Sequence, residues 1–144
     1  MGRVKIQMPG HFSFSCTIPV RITDINYGGH AGNDSILAII HEARMQFLQS
    51  LSYTEMNFAG AGIIMADVSV EFKNELFYGD FVIASVNVCE IFKIGFELVY
   101  KFEKNTGDQL KIIAVAKTRL ICYDYDRKKI IALPDNARKK LIVS

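Results

Sequence analysis

The segment RITDINYGGHAGN, residues 21–33, separates two regular patterns of the sequence. Three glycines and two asparagines lie within residues 24–33, which favours a loop with unusual backbone angles. The loop leads into a helix predicted from about residue 34 to about residue 52, with Asn33 or Asp34 suited to cap its first turn. The apolar residues of this helix recur at helical spacing: Ile36, Leu37, Ile40, Ala43, Phe47, Leu48 and Leu51.

Strand patterns lie on both sides of this helix. From Phe12 to Ile22 apolar and polar residues alternate with a period of two, and Pro19 places this strand at a sheet edge or at a bulge. Further strand patterns follow the helix, at 66–73, 81–92, 94–102 and 112–122, and a short helix begins near Pro134. This order predicts an α+β fold, with residues 1–144 forming one domain. One helix cannot cover so many strands, so the exposed sheet predicts at least a dimer.

Composition excludes several classes of protein. The net charge of +2 is spread along the chain and gives no surface suited to nucleic acid. No stretch approaches the ~20 apolar residues that span a bilayer, and no apolar leader begins the chain, so we expect no membrane insertion and a cytoplasmic location. The three cysteines lie in apolar stretches without close pairing, which predicts reduced core residues.

The loop and the start of the helix are rich in polar side chains. A loop of small residues at a helix N-terminus presents free N–H groups, which can hold a carbonyl oxygen as it becomes an oxyanion. A tight turn before a capped helix would show the same pattern. Metal binding is not expected, because the ligand-type residues lack a recognised spacing. The polar residues of this region are Asp24, Asn26, His30, Asn33, Asp34, His41 and Glu42.

Residues 21–33, followed by His41-Glu-Ala-Arg44, resemble the hydroxybenzoyl-CoA thioesterase and acyl-ACP thioesterase branch of the hotdog superfamily. Arg21 and Asp24 match that branch's Arg and first acid, and residues 29–30 match its Gly-His. Asn33 matches its second Asn, and residues 43–44 match its helix motif. The resemblance implies a hotdog fold, in which an antiparallel sheet of about five to six strands wraps around one long central helix, with a short C-terminal helix.

One position departs from the branch, because Asn26 stands where its second acid is expected. An amide cannot act as a carboxylate base, so the base must be another group. We favour Glu42 as the general base, with His30 and Asn26 polarising or positioning the substrate. His30 itself and Asp24 are the alternative bases. The predicted substrate-binding residues are Gly28, Gly29, Gly32 and Asn33, together with Asp67 if a partner subunit contributes to the site.

The resemblance therefore implies hydrolysis of an acyl-CoA or acyl-ACP thioester, without a cofactor, by a homodimer or homotetramer with its site at a subunit interface. Two other hotdog functions stay open. A hydratase or dehydratase would use an Asp and His pair, and a non-catalytic module would bind acyl thioesters without a base. Lys73, Lys117 and Arg119 are candidates for contact with nucleotide phosphates, although exposed strand cations are common.

Overall fold

The computed structural model describes residues 5–144. Its elements are β1 (Phe14–Pro19), one turn of 3-10 helix (Ile22–Asp24), α1 (Asn33–Ser50), β2 (Gly62–Phe72), β3 (Phe81–Phe92), β4 (Gly95–Asn105), β5 (Leu110–Asp124), β6 (Lys129–Ile130) and α2 (Asp135–Val143). The predicted α+β architecture, with one long helix, an antiparallel sheet and a short C-terminal helix, is confirmed.

The strands form one antiparallel sheet in the order β1-β3-β4-β5-β2, and β6 adds a short pairing to β5. β1 lies at one edge, where Pro19 pairs with Phe81, so the edge position predicted from Pro19 is confirmed. β2 lies at the other end of the order and pairs with β5. The second edge of β2 has no partner strand within residues 5–144, which leaves its backbone groups open to a further strand.

The core lies between α1 and one face of the sheet. α1 buries Ile36, Ile40, Ala43, Phe47 and Leu48 in that core. The sheet contributes small residues to this core, including Ala84, Ala114 and Ala116. A wide apolar helix stripe and a sheet face of alternating apolar residues thus produce one continuous core.

Some boundaries differ from the predicted ones, and one short strand was not predicted. Gly32, not Asn33 or Asp34, is the N-cap of α1, because Gly32 has extended angles (φ −78°, ψ 171°) and Asn33 is already helical. β1 is shorter than predicted, because after Pro19 the backbone bonds the loop before β3, with Val20 N donating to Asp80 O at 2.8 Å. β6 was not predicted, since two residues are too few for a visible alternation.

Candidate functional site

The loop before α1 is held by bonds within itself. Asn26 N donates to His30 O at 3.0 Å, and Gly29 N donates to Asn26 O at 3.1 Å. The Asn26 side-chain oxygen accepts a bond from Gly28 N at 2.9 Å. Gly29 has φ +83°, a left-handed conformation that favours glycine. The amide predicted to position substrate therefore also shapes the loop.

Gly28 and Gly32 allow the loop to fold closely on itself. A Cβ on Gly28 would lie 3.2 Å from Nε2 of His30, and a Cβ on Gly32 would lie 2.8 Å from an oxygen of Asp34. The loop reaches the rest of the fold through Ala31 N, which donates to Leu76 O at 2.8 Å. These glycines thus have a packing role inside the loop, in addition to any contact with substrate.

Asp24 is a buried carboxylate with structural partners. Its Oδ2 accepts a bond from Arg21 N at 2.8 Å and lies 3.6 Å from Arg21 Nε. The Asp24 carbonyl accepts the Ser35 hydroxyl at 2.9 Å, which ties the 3-10 turn to the first turn of α1. Because Oδ2 already accepts a backbone bond, the side chain is fixed in place.

His30 lies beside one pocket, named here the loop pocket. This cavity of about 270 Å³ has His30, Asn33, Ile36, Phe72, Lys73 and Leu76 in its lining. His30 Nδ1 lies 3.1 Å from Ala31 O, so Nδ1 carries the hydrogen and donates it. His30 Nε2 lies 3.7 Å from Glu75 Oε1. The start of α1 therefore faces a pocket that holds both an imidazole and apolar walls.

Glu42 lies beside a second pocket, named here the helix pocket, between β1, the 3-10 turn and α1. This cavity of about 280 Å³ is lined in part by Ile18, Arg21, Ile39, His41, Glu42 and Met45, and Asp24 also reaches it. Glu42 is exposed, and its Oε2 accepts a bond from Gln46 Nε2 at 2.8 Å. No residue within 5–144 bonds its Oε1, which leaves that oxygen available to water.

The predicted site residues thus lie in two pockets of one chain. His30 and Asn33 line the loop pocket, whereas Asp24 and Glu42 line the helix pocket. Asn33 and Glu42 are nine positions apart on α1, so a rise of 1.5 Å per residue separates them by about 13 Å along the axis. The N–H groups at the start of α1 and the Glu42 carboxylate of one chain cannot contact the same thioester carbonyl.

A polar network in the middle of α1 was not predicted. Glu55, in the loop after α1, accepts bonds from Arg44 Nε and from His41 Nε2, each at 2.7 Å. Arg44 is buried, and its Nη1 lies 3.4 Å from the Tyr100 hydroxyl, which is 2.7 Å from Thr118 Oγ1. An Arg on the apolar side of a predicted helix is a signal that a carboxylate must lie nearby. No local pattern marks Glu55 as that carboxylate.

The charges of this network perturb one another. Burial alone would raise the pKa of Glu55, but hydrogen bonds and charge from Arg44 and His41 hold it below its ordinary value. Burial raises the pKa of Tyr100, so its hydroxyl stays protonated. Glu55 is therefore a carboxylate that accepts hydrogen bonds at neutral pH.

The predicted contributor from a partner subunit, Asp67, is exposed on β2 at the edge of the sheet. It pairs with Arg119 next to a register shift between Met65 and Asp67. The three candidate phosphate-binding cations have acidic neighbours: Lys73 lies 3.1 Å from Glu71, and Lys117 and Arg119 lie 4.0 Å and 3.3 Å from Glu97. Nearby carboxylates reduce the positive charge that these side chains offer to a phosphate.

The three cysteines differ in their exposure to solvent. Cys122 is buried and Cys16 is half-buried, but Cys89 is exposed, so its prediction as a core residue is wrong. Burial, together with the nearby Glu42 carboxylate, raises the pKa of Cys16 to about 11, which leaves a neutral thiol rather than a nucleophile. Within residues 5–144, no group of three or more His, Cys, Asp or Glu side chains is arranged to hold a metal ion. The described helices include none long and apolar enough to cross a membrane.

Comparisons place this geometry among known folds. A protein of the thioesterase superfamily from Jannaschia sp. CCS1 superposes with a TM-score of 0.81 at 16% identity, over 93% of this chain and 84% of that one. A hypothetical protein from Aquifex aeolicus gives 0.78 at 23% identity, over 89% and 98%. A 1,4-dihydroxy-2-naphthoyl-CoA thioesterase from Synechocystis gives 0.75 at 17% identity, over 90% and 95%.

No protein of curated function matches the sequence. A family model described as the thioesterase-like superfamily matches residues 20–141, which is most of the chain. The chain therefore belongs to the thioesterase-like superfamily, and its sheet and helices form the hotdog fold.

Proposed function

We propose that this protein hydrolyses acyl thioesters of coenzyme A or of an acyl carrier protein, as in the hydroxybenzoyl-CoA and acyl-ACP thioesterase branch. The observation that carries the proposal is the helix pocket, where apolar walls from Ile18, Ile39 and Met45 adjoin the Glu42 carboxylate. Apolar walls suit an acyl group, and a carboxylate with a free oxygen suits water activation. The Synechocystis neighbour acts on an acyl-CoA, which supports the substrate class.

The thioester carbonyl would be held by N–H groups at the start of α1, such as that of Asn33. Gly28, Gly29 and Gly32 would let the substrate approach the backbone, because the N–H groups of Gly28 and Gly29 already bond Asn26. There the helix N-terminus favours a developing negative charge. Because these groups lie about 13 Å from Glu42 along α1, we propose that each site combines the loop of one chain with the helix pocket of another. The unpaired edge of β2, which carries Asp67, is the proposed joining edge of a homodimer or of the dimers within a homotetramer.

In this scheme the loop N–H groups polarise the carbonyl and Glu42 activates a water molecule that attacks the carbonyl carbon. The tetrahedral intermediate then breaks its C–S bond, releasing a carboxylic acid and a thiol. His30 and Asn26 position the substrate at the loop, and Asp24, whose Oδ2 bonds to Arg21 N, is the less suited base. Water is the only co-reactant, so the reaction needs no cofactor, and we propose a cytoplasmic location.

A non-catalytic acyl-thioester module is the second candidate, and one observation favours it. The position at which the resembling branch holds its second acid is an amide, Asn26, whose oxygen accepts the Gly28 N–H bond and shapes the loop, so it contributes no base. Such a module would bind acyl thioesters without releasing thiol.

Replacing Glu42 tests its role in activating water. We expect Glu42→Gln to lower kcat by about 10- to 100-fold, because the amide cannot polarise water as a carboxylate does. Thiol release from acyl-CoA thioesters measures the rate, and urea unfolding checks that stability is unchanged. Glu90→Gln, an exposed carboxylate on β3, is the matched control and should keep wild-type turnover. Unchanged turnover in Glu42→Gln would show that Glu42 is not the base, and His30 or Asp24 would then be the candidate that activates water.

A further inference from the structure

A second titratable side chain of the helix pocket has no role in the scheme above. His41 precedes Glu42 on α1 and lines the same pocket. Its Nε2 lies 2.7 Å from Glu55 Oε1, and its side chain is 56% exposed, so the ring is held at one end and accessible at the other. No residue within 5–144 bonds the second ring nitrogen, Nδ1.

The carboxylate that holds His41 is itself fixed from inside the core. Glu55 Oε2 accepts the Arg44 Nε–H bond at 2.7 Å, and Arg44 is only 5% exposed. Arg44 Nη1 in turn reaches the Tyr100 hydroxyl at 3.4 Å and the Met65 sulfur at 3.8 Å. The Glu55 carboxylate is therefore held in place by the buried Arg44 guanidinium through Oε2, and its Oε1 bonds to His41.

This pairing determines which nitrogen of His41 can accept a proton. A carboxylate only accepts hydrogen bonds, so the hydrogen of the neutral imidazole lies on Nε2. The lone pair then lies on Nδ1, the nitrogen that no residue within 5–144 bonds. A carboxylate that orients one imidazole nitrogen while the other accepts a proton is a general arrangement for activating water or a hydroxyl.

We propose that Nδ1 of His41 accepts the proton of the attacking water, and that Glu55 is the positioning residue that orients and polarises the ring. This inference rests on the proposed thioester hydrolysis. Water gives one hydrogen bond to Glu42 and transfers its other proton to His41 as its oxygen bonds to the carbonyl carbon. When the C–S bond breaks, the leaving sulfur accepts this proton from Nδ1, which restores the neutral ring.

The roles of the two neighbours can be separated by their replacement. His41→Gln should lower kcat by about 100-fold or more and change KM by less than about threefold, because it removes the proton acceptor. The fall in kcat of His41→Gln should exceed that of Glu42→Gln. The latter variant keeps the proton acceptor and loses only the carboxylate that orients the water. His11→Gln, an exposed histidine outside both pockets, is the matched control and should retain full turnover.

Chemical rescue tests the proton transfer itself. Imidazole added to His41→Ala should raise the turnover of that variant at least about tenfold, saturating with imidazole concentration, because a free base can occupy the vacated space. A side chain with only a structural role would show no such rescue. If the wild type hydrolyses thioesters and His41→Gln does so at the same rate, this inference alone is overturned. Absence of wild-type turnover would overturn the proposed function, and the inference with it.

A chemical readout tests the role of Glu55 without any turnover. Diethyl pyrocarbonate acylates an imidazole nitrogen that has a free lone pair, and mass spectrometry measures its rate at each histidine. Glu55→Gln should slow acylation of His41 severalfold and leave His11 unchanged, because the neutral amide polarises the ring less than the carboxylate does. An unchanged rate at His41 would contradict the positioning role. Since Arg44 loses its ion pair in this variant, rates are compared only after circular dichroism shows an intact fold.

Discussion

At the scale of single residues, the polar side chains near the start of α1 differ in what they already bond. Asp24 and Asn26 use side-chain oxygens to accept backbone N–H bonds from Arg21 and Gly28. Glu42 keeps one carboxylate oxygen without a bond from any described residue. The sequence can identify residue types capable of chemistry, but the choice of partner depends on contacts that form only after folding. Glu55 illustrates this, because its partners on α1 are 11 and 14 positions away.

The ion pair of Glu55 makes a prediction about stability and pH. The pKa of Glu55 is held below its ordinary value in the folded state, so the pair stabilises the fold fully above the unfolded pKa of ~4.3. That contribution is lost as the pH falls through the lower folded pKa. We expect Glu55→Gln to reduce the free energy of unfolding at neutral pH by about 1–3 kcal/mol.

Urea unfolding at neutral pH and at about pH 3 measures this effect, because a protonated Glu55 resembles the glutamine variant. The difference in free energy of unfolding between wild type and Glu55→Gln should be smaller at the lower pH. Glu90→Gln controls for the loss of an exposed carboxylate. An equal gap at both pH values would show that the charge of Glu55 does not stabilise the fold.

At the scale of elements, the sequence predicts most of the fold because each long element has a clear hydrophobic period. The helical spacing of α1 matches its buried face, and the alternating apolar residues of β3 to β5 lie in the core, whereas Ala66 and Phe72 of the β2 pattern are exposed. The boundaries were less predictable, since Asn33 and Asp34 both suit an N-cap by residue type. In the structure the N-cap is Gly32, which has an extended backbone and joins the loop directly to the helix.

The N-terminus of α1 can be tested by removing one N–H group without removing the helix. Asn33 is the first helical residue and follows an extended Gly32, so proline fits there and deletes the Asn33 N–H. If the loop holds the thioester carbonyl, Asn33→Pro should lower kcat by about 10²–10³-fold while circular dichroism stays unchanged.

The matched control is Asp135→Pro, at the first position of α2 after Pro134, whose backbone is also extended. It removes an equivalent N–H from a helix that lines neither the loop pocket nor the helix pocket. Equal turnover in Asn33→Pro and Asp135→Pro would show that the start of α1 does not bind the thioester carbonyl.

At the scale of the whole molecule, one chain holds two incomplete halves of the proposed site. The loop pocket has the helix N-terminus and the helix pocket has the carboxylate, about 13 Å apart along α1. The nine positions between Asn33 and Glu42 on the predicted helix already imply this separation, but no sequence pattern shows that the two residues line different pockets. The open edge of β2 offers the surface through which a second chain can bring the halves together.

Subunit complementation tests this arrangement. Asn33→Pro and Glu42→Gln, refolded together in equal amounts, give about half heterodimers, each with one of its two sites intact, so about a quarter of wild-type turnover should return. Recovery no greater than the sum of the separate variants would show that each site belongs to a single chain. Sedimentation equilibrium should show a dimer or a tetramer, and a monomer would contradict the shared site.

The most direct test of the central claim is the release of thiol from acyl thioesters by the wild-type protein. Purified protein is offered aromatic and aliphatic acyl-CoA and acyl-ACP thioesters, and free thiol and carboxylic acid are measured together. We expect catalytic turnover of at least one thioester, with the two products released in equal amounts. Measurable binding of these thioesters without release of thiol from any of them would contradict it and favour a binding module.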